Sequence, residues 1–167
     1  MNLSLHPKNA ELMVQNKGLN LLMDRLVGPE DLSGESSASK DPLLLKIIRN
    51  ISQWTFQQQL QISSEEYKYR GLWTAHVKTL AKISLESASN HDVLVEVFGI
   101  LANLSASDLP SNLTWAKLLS ISITENKKDF TLLDLIIRML SSSSVHHDMM
   151  LETLLVLGSI TQDTQVV

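Results

Sequence analysis

The chain has 167 residues, of which 44% are hydrophobic and only 5% aromatic, a composition typical of a globular domain of packed helices. Its 14 basic residues are outnumbered by 18 acidic ones, so the net charge of −4 gives no electrostatic basis for binding nucleic acid or an anionic membrane surface. Cysteine is absent, which excludes disulfides and thiolate metal sites.

The chain also lacks the patterns that direct a protein to or across a membrane. Residues 1–10 have neither a basic region nor a continuous apolar core, so they do not resemble a secretory signal. No stretch approaches the roughly 20 apolar residues that cross a bilayer. We therefore expect a cytoplasmic protein without membrane insertion.

The first third of the chain predicts two short helices, a loop and the start of a long helix. Lys8–Gln15 and Leu19–Val27 are amphipathic runs on either side of Gly18, a residue type that commonly separates helices. The Ser-rich stretch 29–40 contains Pro and Gly, which predicts an exposed loop. The pair Asp41–Pro42 then supplies an N-cap and a first-turn proline for the long helix.

The rest of the chain predicts the same order of a short, a middle and a long helix. In the second third these are Phe56–Ile62, Leu72–Ile83 and a long helix capped by either Asn90 or Asp92.

In the last third the short helix is Thr114–Ser120 and the middle helix is Phe130–Leu140, and Ser144 is the expected cap of the long one.

Three long segments end in the related strings IRNIS, LANLS and LGSIT, which superpose when Asn50, Asn103 and Ser159 are matched. Apolar residues recur five, three and two positions before the matched residue and one position after it, which predicts one broad buried stripe. The spacings of 53 and 56 residues exceed the ~40–47 of armadillo or HEAT repeats, so each unit would carry an insertion. The apolar positions are Leu45, Ile47, Ile48 and Ile51, then Phe98, Ile100, Leu101 and Leu104, then Leu154, Val156, Leu157 and Ile160.

These features predict an all-α fold, an armadillo-type right-handed helical solenoid of about three irregular repeats. The repeats would span about residues 1–53, 54–106 and 107–163 of a single segment covering 1–167. HEAT repeats, with two helices per unit, are the alternative.

A second helical face contains the matched residues and the positions four and seven before them, and it varies in charge and size. Such variation is expected of a surface that reads a partner, and equally of an ordinary solvated face. A tryptophan one turn beyond the first matched residue could add a partner contact or could belong to the core. The predicted partner-binding groove comprises Lys46, Asn50, Trp54, Glu96, Asn103, Glu152 and Ser159.

Longer strings resemble the armadillo region of the kinesin-associated proteins, which are the non-motor accessory subunits of heterotrimeric kinesin-II. In order they are GLNLLMDRLV, LLLKIIRNISQ, LVEVFGILANLSASDL followed by TWAKLL, and MLETLLVLGSITQD. The resemblance runs through nearly the whole chain and corresponds to about three repeats of a longer family member. The chain would then be a fragment, a partial gene product or a short paralogue.

The resemblance implies a function that the residues alone do not supply. Such subunits bind the tails of the motor heterodimer and connect them to cargo, including intraflagellar transport material. The implied partners are therefore kinesin-II motor subunits and transport cargo, and the implied location is on microtubules or in the cilium. A generic interaction segment unrelated to kinesin, or an inert spacer in a larger solenoid, is the alternative.

In armadillo proteins the matched Asn commonly hydrogen-bonds the backbone of an extended peptide, because its amide offers both donors and an acceptor. The resemblance carries this role to Asn50 and Asn103, with capping of their own helices as the alternative. Nuclear import adaptors have a similar fold but place a Trp four residues before the Asn. Here those positions hold Lys46, Gly99 and Leu155, which argues against recognition of basic nuclear-localisation peptides.

No motif indicates catalysis, a cofactor or a metal. His146 and His147 are adjacent, so on a helix their side chains would point about 100° apart and could not easily share one metal ion. Polar residues at a helix start explain them better. Because no nucleophile elbow, phosphate-binding glycine loop or pair of catalytic carboxylates is present, we predict a non-catalytic protein.

Overall fold

A computed structural model describes residues 6–28, 40–63, 66–125 and 128–162. The predicted loop 29–40 lies outside these residues except for Lys40. The described residues are mostly helical, which agrees with the all-α class. The chain divides into two compact units, Met1–Tyr67 and Lys68–Val167. The helices are α1 (Pro7–Gln15), α2 (Gly18–Val27), α3 (Pro42–Gln61), α4 (Val77–Glu86), α5 (His91–Ala102), α6 (Trp115–Leu119), α7 (Leu132–Ser141) and α8 (His147–Thr161), and the strands are β1 (Ser122–Glu125) and β2 (Lys128–Thr131).

The turn between α1 and α2 requires a glycine, as the sequence indicated. Lys17 has a φ of 58°, in the left-handed region, and Gly18 begins α2 directly after it. A Cβ on Gly18 would lie 2.7 Å from the backbone oxygen of Met13, a distance that side chains do not tolerate. The close approach lets α1 and α2 both pack against α3.

The long helix α3 begins at the predicted cap, since the Asp41 side chain accepts a hydrogen bond of 2.8 Å from the backbone N–H of Leu43. The prediction of a separate short helix at Phe56–Ile62 is wrong, because α3 continues without a break to Gln61. Nothing in the sequence between Ile51 and Gln61 interrupts it, since this stretch has neither Gly nor Pro. The string IRNIS is therefore in the middle of a helix and not at its end.

In the second unit the predicted middle helix Leu72–Ile83 starts too early. Residues 68–76 form turns, and α4 begins at Val77. Gly71 has a φ of 80°, a conformation that breaks a helix, and Trp73 is wholly buried within the turns. The Thr74 hydroxyl donates to the carbonyl of Asp108, which fixes the turns to the 3₁₀ segment Ala106–Asp108.

The helix α5 is the centre of the second unit. Asn90 caps it, with its side-chain oxygen 3.4 Å from the backbone nitrogen of Val93, so the choice between Asn90 and Asp92 is decided. Because α5 is buried on most of its circumference, the neighbouring elements cover its apolar surface. α8 covers the largest part and α4 the next largest. Its fully or almost fully buried side chains are Val93, Leu94, Val97, Phe98, Ile100 and Leu101.

A β-hairpin precedes α7, where the sequence had predicted that a helix begins at Phe130. β1 and β2 are antiparallel, with Ile123 opposite Phe130. Thr131 then caps α7 through a capping box with Asp134, a Thr-x-x-Asp signal that could have placed the helix start correctly. Two strands this short are stable only against other elements, and β1 packs on α4.

The final helix α8 begins at His147, with His146 at the N-cap position in place of the predicted Ser144. Its buried residues Met149, Thr153, Val156 and Ile160 form the stripe that faces the core. The repeat alignment predicted that Leu154 would be buried with Leu45 and Phe98, but its side chain is 53% exposed. The alignment therefore holds for α3 and α5 at this position and fails for α8, which is rotated about its axis.

A helix that spans a bilayer must be both long and apolar. Over the residues described above, no helix meets both requirements for spanning a membrane.

The rotation of α8 predicts different costs for two leucines that the sequence placed in the same buried stripe. Leu101→Ala should lower the free energy of unfolding by about 2–5 kcal/mol, because it opens a cavity at a fully buried site. Leu154→Ala should change it by less than about 0.5 kcal/mol, because this side chain is 53% exposed and leaves no enclosed cavity. Urea denaturation followed by circular dichroism measures both, and equal losses would show that Leu154 is a core residue.

Candidate partner-binding surfaces

Three residues of the predicted groove lie on α3, in the first unit. Lys46 is exposed and Asn50 is half-exposed, so both can reach a partner. Trp54 is only 6% exposed and belongs mainly to the core of its own unit. One turn before Lys46, Leu43 is 71% exposed, which makes the start of α3 an apolar and basic surface.

Two further groove residues lie on α5, in the second unit. Glu96 is half-exposed in the middle of the helix. Asn103 is the C-cap, and its backbone N–H donates to the carbonyls of Ile100 and Leu101. Its side chain is half-exposed, at the point where the chain leaves the helix. The two matched asparagines therefore occupy different local settings, one inside a helix and one at its end.

The last two groove residues lie on the side of α8 that packs against its own unit. Glu152 is 6% exposed. The Ser159 hydroxyl donates to the carbonyl oxygen of Ala102 at 2.7 Å, and thereby satisfies a backbone acceptor at the C-terminal end of α5. This hydrogen bond ties the ends of the two helices together, so Ser159 acts within the fold.

The outward side of α8 is apolar, and the predicted groove did not include its leucines. Leu151, Leu154 and Leu155 are 56%, 53% and 49% exposed. Gly158 continues the same side one turn later, and a Cβ placed there would meet no atom within 4 Å. Exposed apolar side chains clustered on one helix face are typical of interaction surfaces. The signal was available, since MMLETLLVLGSI is apolar on more than one face of a helix.

A polar cluster joins the N-terminal ends of α5 and α8. The Nε2 atom of His91 lies 3.3 Å from the Asp148 carboxylate, and the rings of His91 and His146 are 4.7 Å apart. The pKa of Asp148 is held below its usual value, first because the backbone N–H of Met149 donates to the carboxylate, and also because of His91. In the described part of the chain no group of three potential ligands could hold a metal ion.

The lowered pKa of Asp148 predicts a pH dependence of stability. A carboxylate whose folded-state pKa is below the unfolded value of 3.8 stabilises the fold above that pH and loses the effect as the pH falls through its folded pKa. Asp148→Asn should therefore lower Tm at neutral pH, and the difference from wild type should shrink below pH 3.8. Thermal melts across this range test the prediction, with Asp24→Asn, which removes an exposed carboxylate of the first unit, as the control. A difference from wild type that is the same at every pH would contradict it.

Comparison with known proteins adds one finding to this geometry. The family model described as kinesin-associated protein (KAP) matches residues 1–167, the whole length of the chain. No solved structure gives a significant match.

Proposed function

Since the chain belongs to the kinesin-associated protein family, we propose that it is a non-catalytic adaptor scaffold that binds kinesin-II motor tails, transport cargo or both. The observation that carries the proposal is the match of the family model to every part of the chain, including both compact units. The proposed setting is the cytoplasm, on microtubules or in the cilium, during microtubule-based and intraflagellar transport.

The proposed mechanism is peptide binding by the asparagine amides. Asn50 and Asn103 are each half-exposed, and an amide can donate to a peptide carbonyl and accept from a peptide N–H. Lys46 would add a charged contact one turn from Asn50. Trp54, Glu152 and Ser159 support this surface indirectly at most, because the first two are buried and the third bonds to Ala102.

We further propose that the helices form an armadillo-type right-handed solenoid with irregular repeats at about residues 1–53, 54–106 and 107–163. Support comes from the recurring buried positions of α3 and α5, where Leu45 and Phe98, and Ile48 and Leu101, occupy equivalent places and are wholly buried. The hairpin β1–β2 and the turns at 68–76 would be the insertions that lengthen the repeats.

The adaptor proposal predicts the effect of removing both amides. Asn50→Ala with Asn103→Ala should weaken binding to the purified kinesin-II tail heterodimer about tenfold, because each lost hydrogen bond contributes about 0.5–1.5 kcal/mol. Isothermal titration calorimetry measures the affinity, and circular dichroism should show unchanged helicity.

The matched control is Asn20→Ala with Asn112→Ala, which removes one exposed asparagine amide from each unit. This variant should bind the tails as wild type does. Wild-type tail binding that persists unchanged in the Asn50/Asn103 variant would exclude the amide mechanism. Failure of wild type to bind any tail segment would instead exclude motor binding by this chain and favour a spacer.

A further inference from the structure

A basic cleft lies in the second unit, between α4 and the segment that contains α6. Its volume is about 370 Å³, and one side of it opens to solvent. No residue of this cleft belongs to the predicted asparagine groove. The lining residues are Lys78, Thr79, Lys82, Leu113, Lys117 and Ile121.

Three lysines surround the cleft although the chain as a whole is acidic, with a net charge of −4. Lys78 and Lys82 are one turn apart on the same face of α4, and Lys117 approaches from α6. Like charges at this spacing repel each other and weaken a helix, so the arrangement does not serve the stability of α4. Of the described residues that line the cleft, none is acidic.

The rest of the cleft is mainly apolar, and a hydrogen bond orients one of its lysines. Leu113 is 8% exposed and Ile121 is half-buried, so together they form an aliphatic floor. The Lys117 ammonium group donates to the carbonyl of Asn112 at 3.3 Å, which holds its charge near the rim. An ammonium has three N–H donors, so this contact leaves donors for a ligand.

We propose that this cleft binds an acidic segment of a partner protein. Carboxylates of the segment contact Lys78, Lys82 and Lys117, and an aliphatic side chain next to them covers Leu113 and Ile121. Lysine suits such a site because its compact ammonium group can donate to a carboxylate in many orientations. Complementary charge would also speed the encounter of the two proteins, with an effect that salt weakens.

The test uses the full chain and a short fluorescein-labelled peptide in which glutamates flank two leucines. Fluorescence anisotropy at low salt should show binding that weakens about tenfold in Lys78→Gln/Lys82→Gln/Lys117→Gln, since three exposed charge pairs are lost. Raising the salt concentration should weaken wild-type binding in the same direction.

Two controls separate the cleft from general charge effects. Lys8→Gln/Lys68→Gln/Lys128→Gln removes three exposed lysines outside the cleft and should change the affinity less than about threefold. A peptide with serines in place of the leucines should bind wild type more weakly, because it leaves the floor uncovered. The Asn50/Asn103 variant should bind the acidic peptide normally, so the cleft and the adaptor groove can fail separately.

Three outcomes would overturn the proposal. If the cleft triple variant and the control triple variant lost the same affinity for the peptide, the effect would come from net charge and not from the cleft. If a peptide with glutamines in place of the glutamates bound wild type as tightly as the original peptide, the carboxylates would have no role in binding. If vesicles containing phosphatidylserine bound through the three cleft lysines while the acidic peptide did not, the surface would be a membrane contact.

Discussion

Burial of α5 is the constraint on which the second unit depends. This helix is apolar around most of its circumference, and leaving its valines, leucines, Phe98 and Ile100 in water would cost more than any polar contact in the unit returns. α8 covers the largest part of it, and the Ser159–Ala102 hydrogen bond fixes the two helix ends together. The side of α8 that turns inward is thereby determined, and Leu151, Leu154 and Leu155 remain outside.

Features that depend on local signals could be predicted from the sequence, whereas features that depend on packing against α5 could not. Local signals, such as the Asp41 cap and the glycine between α1 and α2, depend on a few neighbouring residues and were interpreted correctly. The continuation of α3 to Gln61 was missed although no Gly or Pro interrupts it, whereas the rotation of α8 depends on tertiary packing. In α8 both faces are apolar, so periodicity alone could not decide which one is buried. The hairpin was missed because its strands, SITE and KDFT, are short and largely polar.

For the candidate site, the partner-binding role of the predicted residues stays a prediction. Lys46 is exposed and Asn50 and Asn103 are half-exposed, whereas Glu152 is buried and Ser159 bonds to Ala102 within the second unit. In the basic cleft, Lys117 is 35 positions after Lys82 in the sequence, so only the fold brings it next to Lys78 and Lys82. The chain belongs to the kinesin-associated proteins. Three of its accessible surfaces differ in chemistry: the leucines of α8 are apolar, Asn50 and Asn103 carry amides, and the cleft is basic.

The proposed adaptor role is tested most directly by affinity purification of the native protein from its own cells, followed by quantitative mass spectrometry. Two different kinesin heavy chains should be recovered with the protein, in similar amounts and well above an untagged control. Recovery of neither heavy chain above that control would contradict it.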